Sequence, residues 1–409
     1  MSVRQTVLIS LLTAAISGCA SSGYKSASGT DIDPKVYAQA QQRVIDEKIP
    51  DPLKDEFIAW YSEGPQNSVL HSMRAGLHAM RLGYYDIAKN CFDSAIRDVQ
   101  ALQAGSDQAK RSESKFVAEK EKWFKGESYE RSALYFYRGL LYLKDQDYGN
   151  AAACFKRSEL EDITGDDEPG FQGDWYSDEL ALALASYLNG YPGDSDAALK
   201  RAATYKSIQG KVPPPTPMTN TLIVVEVGTG PIKYAAGHYH EQLRFREDPP
   251  ATVGVRADLP YQQTLVSAAA ENIYFQATTR GTRQVDYILK GKANFKEGTT
   301  VATAALATAA IATTDVDKSG ITSGALALAA IGTAITSALT TPEADIRSWN
   351  NLPHSVYLLN LNIPDNIQAI AISGLDANGK TTVQATVPLI TCNNGKAKPF
   401  KIGFIYLNN

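Results

Sequence analysis

One proline-rich run does most to limit how this chain can fold. Val212-Pro213-Pro214-Pro215-Thr216-Pro217 cannot continue a helix, because each proline lacks an N–H and its ring clashes with the carbonyl four residues back. The run favours an extended connection, and the periodicity differs on its two sides. From Asp31 to Gly210 nearly every segment reads as helix. Asp33-Pro34 and Asp51-Pro52 each put a capping Asp before a proline at the first helical position, and Gly64 stops the segment Ile58-Ala59-Trp60-Tyr61. After the run, Thr221-Leu222-Ile223-Val224-Val225-Glu226-Val227 is β-branched and apolar and ends at the turn cluster Gly228-Thr229-Gly230-Pro231. Val356 to Leu361, Ile367 to Ile372, Thr381 to Thr391 and Phe400 to Leu407 repeat the strand pattern, with Asn378-Gly379 and Asn394-Gly395 as hairpin turns. The expected fold class is α+β: an all-α domain over 31–210, a linker over 211–217, and an α+β domain with a mainly antiparallel sheet over 218–409.

Within the helical half two segments align without a gap. Gly76, Gly83, Tyr85, Ala88, Phe92 and Ala95 match Gly139, Gln146, Tyr148, Ala151, Phe155 and Ser158. The small residue of the second helix lies 12 positions after the first glycine and the aromatic 16 after it. This spacing resembles the tetratricopeptide repeat, in which small residues let two helices pack closely and the aromatic fills the space between neighbours. On that resemblance Gly76, Gly83, Ala88, Phe92, Ala95, Gly139, Tyr148, Ala151 and Phe155 are the expected packing residues. Such a helix pair cannot bury its apolar face alone and needs stacked neighbours. The two matches start 63 residues apart, so a charged helix from about Asp107 to Phe124 is expected between them. A third, weaker unit is expected from Asp178 to Tyr205, with Ala183, Ala185, Leu188, Ala197 and Ala198 at positions that suit the repeat and Gly190-Tyr191-Pro192-Gly193 as its turn. Cys91 and Cys154 precede the two aromatics, so both are expected to face a core and stay reduced, stacked helices holding them too far apart for a disulfide.

Thr300 to Thr313 and Ile321 to Thr340 are almost wholly Ala, Thr, Ile, Leu and Gly, and read as an apolar helical hairpin over 300–340. Gly320 and Gly324, continued by Ala325, Ala329 and Gly332, make a small-residue stripe suited to close helix packing. The second helix, about 30 Å at 1.5 Å per residue, is long enough to cross a bilayer, and the first is not. Burial within the domain, or in a homo-oligomer formed through 300–340, is expected over insertion into lipid.

The N-terminus has the three zones of an export signal: Arg4, an apolar stretch from Val7 to Ile16, and small residues before a cut. Ile16-Ser17-Gly18-Cys19 resembles the lipobox of bacterial lipoproteins. The resemblance implies a signal peptide over 1–18, cleavage between Gly18 and Cys19, and lipid on Cys19. The acyl chains would then hold the mature chain on a membrane. Residues 19–30 are Ser/Gly/Ala-rich and read as a flexible tether. Ala20 and Ser21, rather than Asp, follow the cysteine, a pattern that in enteric-type bacteria points to the outer membrane and leaves the leaflet open; the expected orientation is toward the periplasm.

Chemistry is sparse. Gly228-Thr229-Gly230 lacks the rest of a dinucleotide loop, and neither GxxxxGK[ST] nor HExxH occurs. His238-Tyr239-His240-Glu241 is the nearest approach to a metal site, and Gly237 and the charges that follow make it an expected exposed loop. His71, His78 and His354 are isolated and no nucleophile elbow is present. No catalytic residue, metal or cofactor is therefore expected, and a net charge of −4 argues against a nucleic-acid partner. In the stretch Asp345 to Pro353, Asp345 is expected to cap or pair with Arg347 and Trp349 to pack on the hairpin base. Glu127, Tyr129 and Arg131 should open a helix and either pair locally or present a surface.

Four features together, Phe124 to Arg131, Tyr137-Arg138-Gly139-Leu140, the Ala/Gly-rich segment and Asp345 to Pro353, resemble a family of bacterial outer-membrane lipoproteins with tetratricopeptide-like N-terminal repeats. The resemblance covers most of the chain after about Asp51 and implies no activity for a particular residue. The expected function is a membrane-anchored scaffold that binds a protein partner on its helical repeats, in cell-envelope assembly or maintenance. The alternative is a structural subunit of an oligomeric envelope or secretion-type assembly that uses the apolar hairpin.

Overall fold

The computed structural model describes residues 24–104, 122–164, 174–205, 207, 212–238, 240–259, 263–266, 268–279, 344–392 and 399–408. Gly18 and Cys19, the apolar hairpin over 300–340 and the turn Asn394-Gly395 lie outside them.

The protein is a mixed α+β fold with mainly antiparallel sheets, arranged as three layers. Helices α1 (Pro34–Asp46), α2 (Lys54–Glu63), α3 (Ser68–Arg81), α4 (Tyr85–Gln103), α5 (Ser128–Lys144), α6 (Tyr148–Thr164), α7 (Tyr176–Leu188) and α8 (Pro192–Ala202) form the first. The strands are β1 (Thr221–Val227), β2 (Ile232–Ala236), β3 (Gln242–Arg246), β4 (Gly254–Asp258), β5 (Gln263–Val266), β6 (Glu271–Asn272), β7 (Ser355–Leu361), β8 (Ala369–Leu375), β9 (Thr381–Pro388), β10 (Ile390–Cys392) and β11 (Phe400–Leu407). A short helix, α9 (Ile273–Thr278), follows β6. A five-stranded sheet in the order β10-β11-β1-β7-β6 is the middle layer, and a four-stranded sheet, β5-β4-β8-β9, is the third. Only the β1–β11 pair is parallel among the described strands, with Val224 opposite Phe404.

The middle position explains the unbroken apolar run of β1. Successive side chains of a strand point to opposite faces. Leu222 and Val224 join the helical core, whereas Ile223, Val225 and Val227 pack with Val255, Ala257, Ile370 and Ile372 of the third layer. All of β1 is buried, so neither face tolerates an unpaired polar group. Glu226 is the one charge in this run, and it points at the helices. Arg81 Nε lies 2.6 Å from its carboxylate and the Tyr137 hydroxyl donates to it.

The proline-rich run separates helix from strand but not two cores. One continuous apolar cluster runs from Leu70 and Phe92 through Tyr137 and Phe155 to Val224, Val356 and Ile402, and Val212 of the run belongs to it. A polar seam adds to the join. Lys233, buried on β2, lies 3.0 Å from Glu130 of α5, and the other Glu130 oxygen accepts the Trp349 N–H at 2.7 Å. Arg347 donates to Asn67 Oδ1 and to the Lys122 carbonyl and pairs with Asp345. Trp349 packs beside Phe92 of α4 and Tyr137 of α5, at 6.2 and 5.9 Å between ring centroids; the hairpin base on which it was expected to pack lies outside the described residues. Tyr129 and Arg131 are buried and Glu127 is half-buried: the Glu130 carboxylate accepts the Glu127 N–H, and Arg131 lies 2.7 Å from buried Glu161.

Other expectations are corrected. Asp33 caps α1 by accepting the Lys35 N–H, but Asp51 opens a 3-10 turn and gives its carboxylate to Lys54. Trp123 to Glu127 is not helical, and Phe124 N–H donates to the Gln66 carbonyl; the rest of the helix expected from Asp107 lies outside the described residues, save for Lys122. The run Thr381 to Thr391 is two strands, broken at Leu389, because the chain crosses from the third layer to the middle one. The tether is docked from Tyr24 onward: the Tyr24 ring packs at a tilt against Tyr37, 4.8 Å between centroids, and the Ala27 N–H donates to Glu63 at 2.8 Å.

Candidate binding groove on the helical layer

The glycine and aromatic of each aligned segment meet. A Cβ on Gly76 would lie 2.6 Å from the Phe92 ring, and one on Gly139 would lie 2.5 Å from the Phe155 ring. Ala88, Ala95 and Ala151 are fully buried around them. Two of the expected packing residues do something else. Gly83 touches nothing and instead ends α3 with φ +81°, and Tyr148 turns its ring to Phe400 of β11, 6.4 Å between centroids. In the last pair Ala183, Ala185 and Ala198 are buried, but Ala197 is exposed.

Among the described residues, α1, α3, α5 and α7 end in one way. The residue after the cap is left-handed (Lys48, Gly83, Gln146 and Gly190), and the next N–H reaches back five residues, from Ile49 to Val44, Tyr84 to Ala79, Asp147 to Tyr142 and Tyr191 to Ser186. This pattern satisfies carbonyls that the helix end would leave open and turns the chain sharply. It sets each following helix against the one before it.

That stacking leaves a groove between α2 and α4, with α1 at its mouth. The cavity is about 550 Å³, within the range of roughly 300–1,000 Å³ typical of ligand sites. One wall is aromatic: Phe57, Trp60 and Tyr61 of α2 pack with ring centroids 5.6–6.2 Å apart. Their polar ends are fixed. The Trp60 indole N–H donates to Ser68 Oγ at 3.2 Å, the Tyr61 hydroxyl donates to Glu47, and the Arg43 guanidinium lies 3.8 Å over the Tyr61 ring. The facing wall is α4, which offers Ile87, Asn90, Cys91, Ser94 and Arg97. Asn90 and Arg97 are exposed, and neither they nor the Ser94 side chain has a hydrogen bond or ion pair among the described residues. Burial pushes the Cys91 thiol up to about 12, so the thiol in this wall is not a nucleophile. Cys154, at the equivalent position, is half-buried, and burial raises it to about 12 also.

The carboxyl groups that burial pushes up lie elsewhere, on α6, α7 and β6. Glu271 and Asp178 are each 1 % exposed where α7 meets β6. Burial pushes Glu271 up to about 8 and Asp178 well above the usual carboxylate range, while Ser158 donates to Asp178 and Gln276 to Glu271. Burial, then the neighbouring Glu179, raises Glu159 to about 8. No sequence pattern marked these residues, because their partners come from different elements. The cavity beside Arg81, Tyr137 and Glu226 is about 20 Å³, room for one water and no substrate. His238 and His240 lie exposed in the β2–β3 turn, and no three His, Cys, Asp or Glu residues group as a metal would require among the described residues. Nor is any described helix long and apolar enough to cross a membrane.

Comparison with protein-family models, curated proteins and solved structures finds no match to this chain.

Proposed function

We propose that this chain is an envelope lipoprotein whose helical layer is a docking scaffold for a protein partner. In this reading lipid on Cys19 anchors it to the outer membrane on the periplasmic side. The observation that carries the reading is the groove. It combines a preformed aromatic wall with a row of polar side chains, Asn90, Ser94 and Arg97, that have no hydrogen bond or ion pair among the described residues. Interfaces place their energy in such aromatic and Arg anchors. A tetratricopeptide-like organisation of the helices is supported by the glycine–aromatic contacts at Gly76 and Gly139 and by the shared helix ends.

The N-terminus fits this role. Tyr24 is docked on the body, and only five residues carry the chain from Cys19 to Tyr24, a reach of at most about 18 Å at 3.3–3.6 Å per residue. A lipid on Cys19 would therefore hold the groove close to the membrane surface, within reach of other envelope proteins. Metabolic labelling with an alkyne fatty acid tests the anchor. The wild type should take label and Cys19→Ala should not; label on both would remove the anchor from the account. Partner capture after in-cell crosslinking, from wild type and from Asn90→Ala/Arg97→Ala, tests the scaffold. A specific protein lost in the double variant is expected, and equal recovery from both would locate binding elsewhere.

A further inference from the structure

We infer that the groove takes an extended peptide segment of its partner, with an acidic side chain held by Arg97 and an apolar side chain laid on Trp60 and Tyr61. This rests on the groove being the partner site. Spacing comes first. Asn90, Ser94 and Arg97 stand at i, i+4 and i+7 of α4, one stripe of the helix. At 1.5 Å per residue the stripe is about 10 Å long, the length of three residues of extended chain at about 3.3 Å each. Asn90 carries both a donor and an acceptor and matches a backbone amide, Ser94 adds a hydroxyl, and the Arg97 fork matches a carboxylate.

Charge selects the acid. Near the groove Glu47 is paired with Arg43 and accepts from the Tyr61 hydroxyl, whereas Asp98 accepts the neutral Ser68 hydroxyl at 2.8 Å and keeps its charge. Asp93, one turn before Arg97, is paired with Arg138. Among the described residues Arg97 makes no ion pair, and it lines the groove across from the rings. Rigidity favours binding too, since the hydrogen bonds of Trp60 and Tyr61 and the guanidinium over Tyr61 order the wall in advance.

The test selects from random heptapeptides displayed on ribosomes, using the full-length chain in detergent, with wild type and Arg97→Gln in parallel. Arg97 makes no hydrogen bond or ion pair among the described residues, so the two should share one far-UV circular dichroism spectrum and unfolding midpoint. Wild type should enrich Asp or Glu at a fixed spacing from an apolar side chain, and Arg97→Gln should lose the acid while keeping the apolar position. For one selected peptide, fluorescence anisotropy should show about a tenfold weaker Kd when its acid is changed to the amide. Arg97→Gln should bring the same loss, and the two changes together little more than either. Trp60→Leu should weaken acid and amide peptides alike. Enriched peptides without an acid, or an acid preference that survives in Arg97→Gln, would overturn the carboxylate assignment and leave the groove as a partner site. If nothing is enriched, the peptide inference fails, and crosslinking at Ser94 in cells then decides the groove itself.

Discussion

Replacing Gly139 by alanine should destabilise the protein although alanine is the better helix former. Gly139 lies in the middle of α5, where alanine alone would gain about 1 kcal/mol over glycine. The added methyl, however, would stand 2.5, 2.9 and 3.0 Å from three atoms of the Phe155 ring. That ring is 1 % exposed and packed against Phe136, 6.1 Å between centroids, so it cannot swing away. Overpacking of this kind costs about 1–3 kcal/mol, and three such close approaches place it in the upper half of that range. The net expectation is a loss of about 1–2 kcal/mol. Urea unfolding followed by circular dichroism and tryptophan fluorescence measures it. Gly149 supplies the control, being in the first turn of α6 with nothing within 4 Å of the position a Cβ would take. Gly149→Ala should stabilise by roughly a few tenths of a kcal/mol, since only propensity changes. Phe155→Leu should partly relieve Gly139→Ala, so that the two changes are not additive. If Gly139→Ala raises the midpoint as Gly149→Ala does, the glycine–aromatic contact does not govern the packing of this helix pair.

Three further outcomes are expected. Lys48 is exposed and left-handed at φ 54°, so Lys48→Gly should stabilise by up to about 1 kcal/mol in the same urea assay, with no change expected had the turn been relaxed. Glu226→Ala strands half-buried Arg81 and the buried Tyr137 hydroxyl and should cost about 3 kcal/mol, reduced when Arg81→Leu is added; a loss below about 1 kcal/mol would contradict the pairing. Glu271 takes up its proton more readily folded than unfolded, so the folded state binds more protons between pH 4.5 and about 8. Its contribution to stability is full below that window and is lost as pH rises through it, and Glu271→Gln should flatten this part of the stability–pH curve.

Local features of the fold were legible in the sequence because local physics sets them. The proline run marked the change from helix to strand, the Asp33 cap and the Gly64 stop were readable from residue type, and the 16-residue spacing of Gly76 to Phe92 fixed a contact within one helix pair. Features that depend on distant partners were not. Lys233, Arg347 and Glu271 look like surface residues in sequence, and each is buried with a partner distant in the chain, Glu130, Asn67 and Ser177 respectively. The strands β2 to β5 escaped notice because they are short and carry Lys, Arg or Gln among few β-branched residues. Asp51-Pro52 reads as a cap, yet Lys54 competes for the carboxylate and wins. The groove was hidden for a similar reason. Phe57-Trp60-Tyr61 and Asn90-Ser94-Arg97 are more than 25 residues apart, and only the turn that ends α3 brings α4 to face α2.

The most direct test of the docking claim is site-specific photocrosslinking in living cells. A photoactivatable residue placed at Ser94, in the groove, should give one discrete adduct with an envelope protein, and Trp60→Ala in the same chain should abolish it. The same probe at Gln384, exposed on β9 in the third layer, should give none. No adduct at Ser94, or the same adduct at both positions and indifferent to Trp60→Ala, would contradict the groove as the partner site.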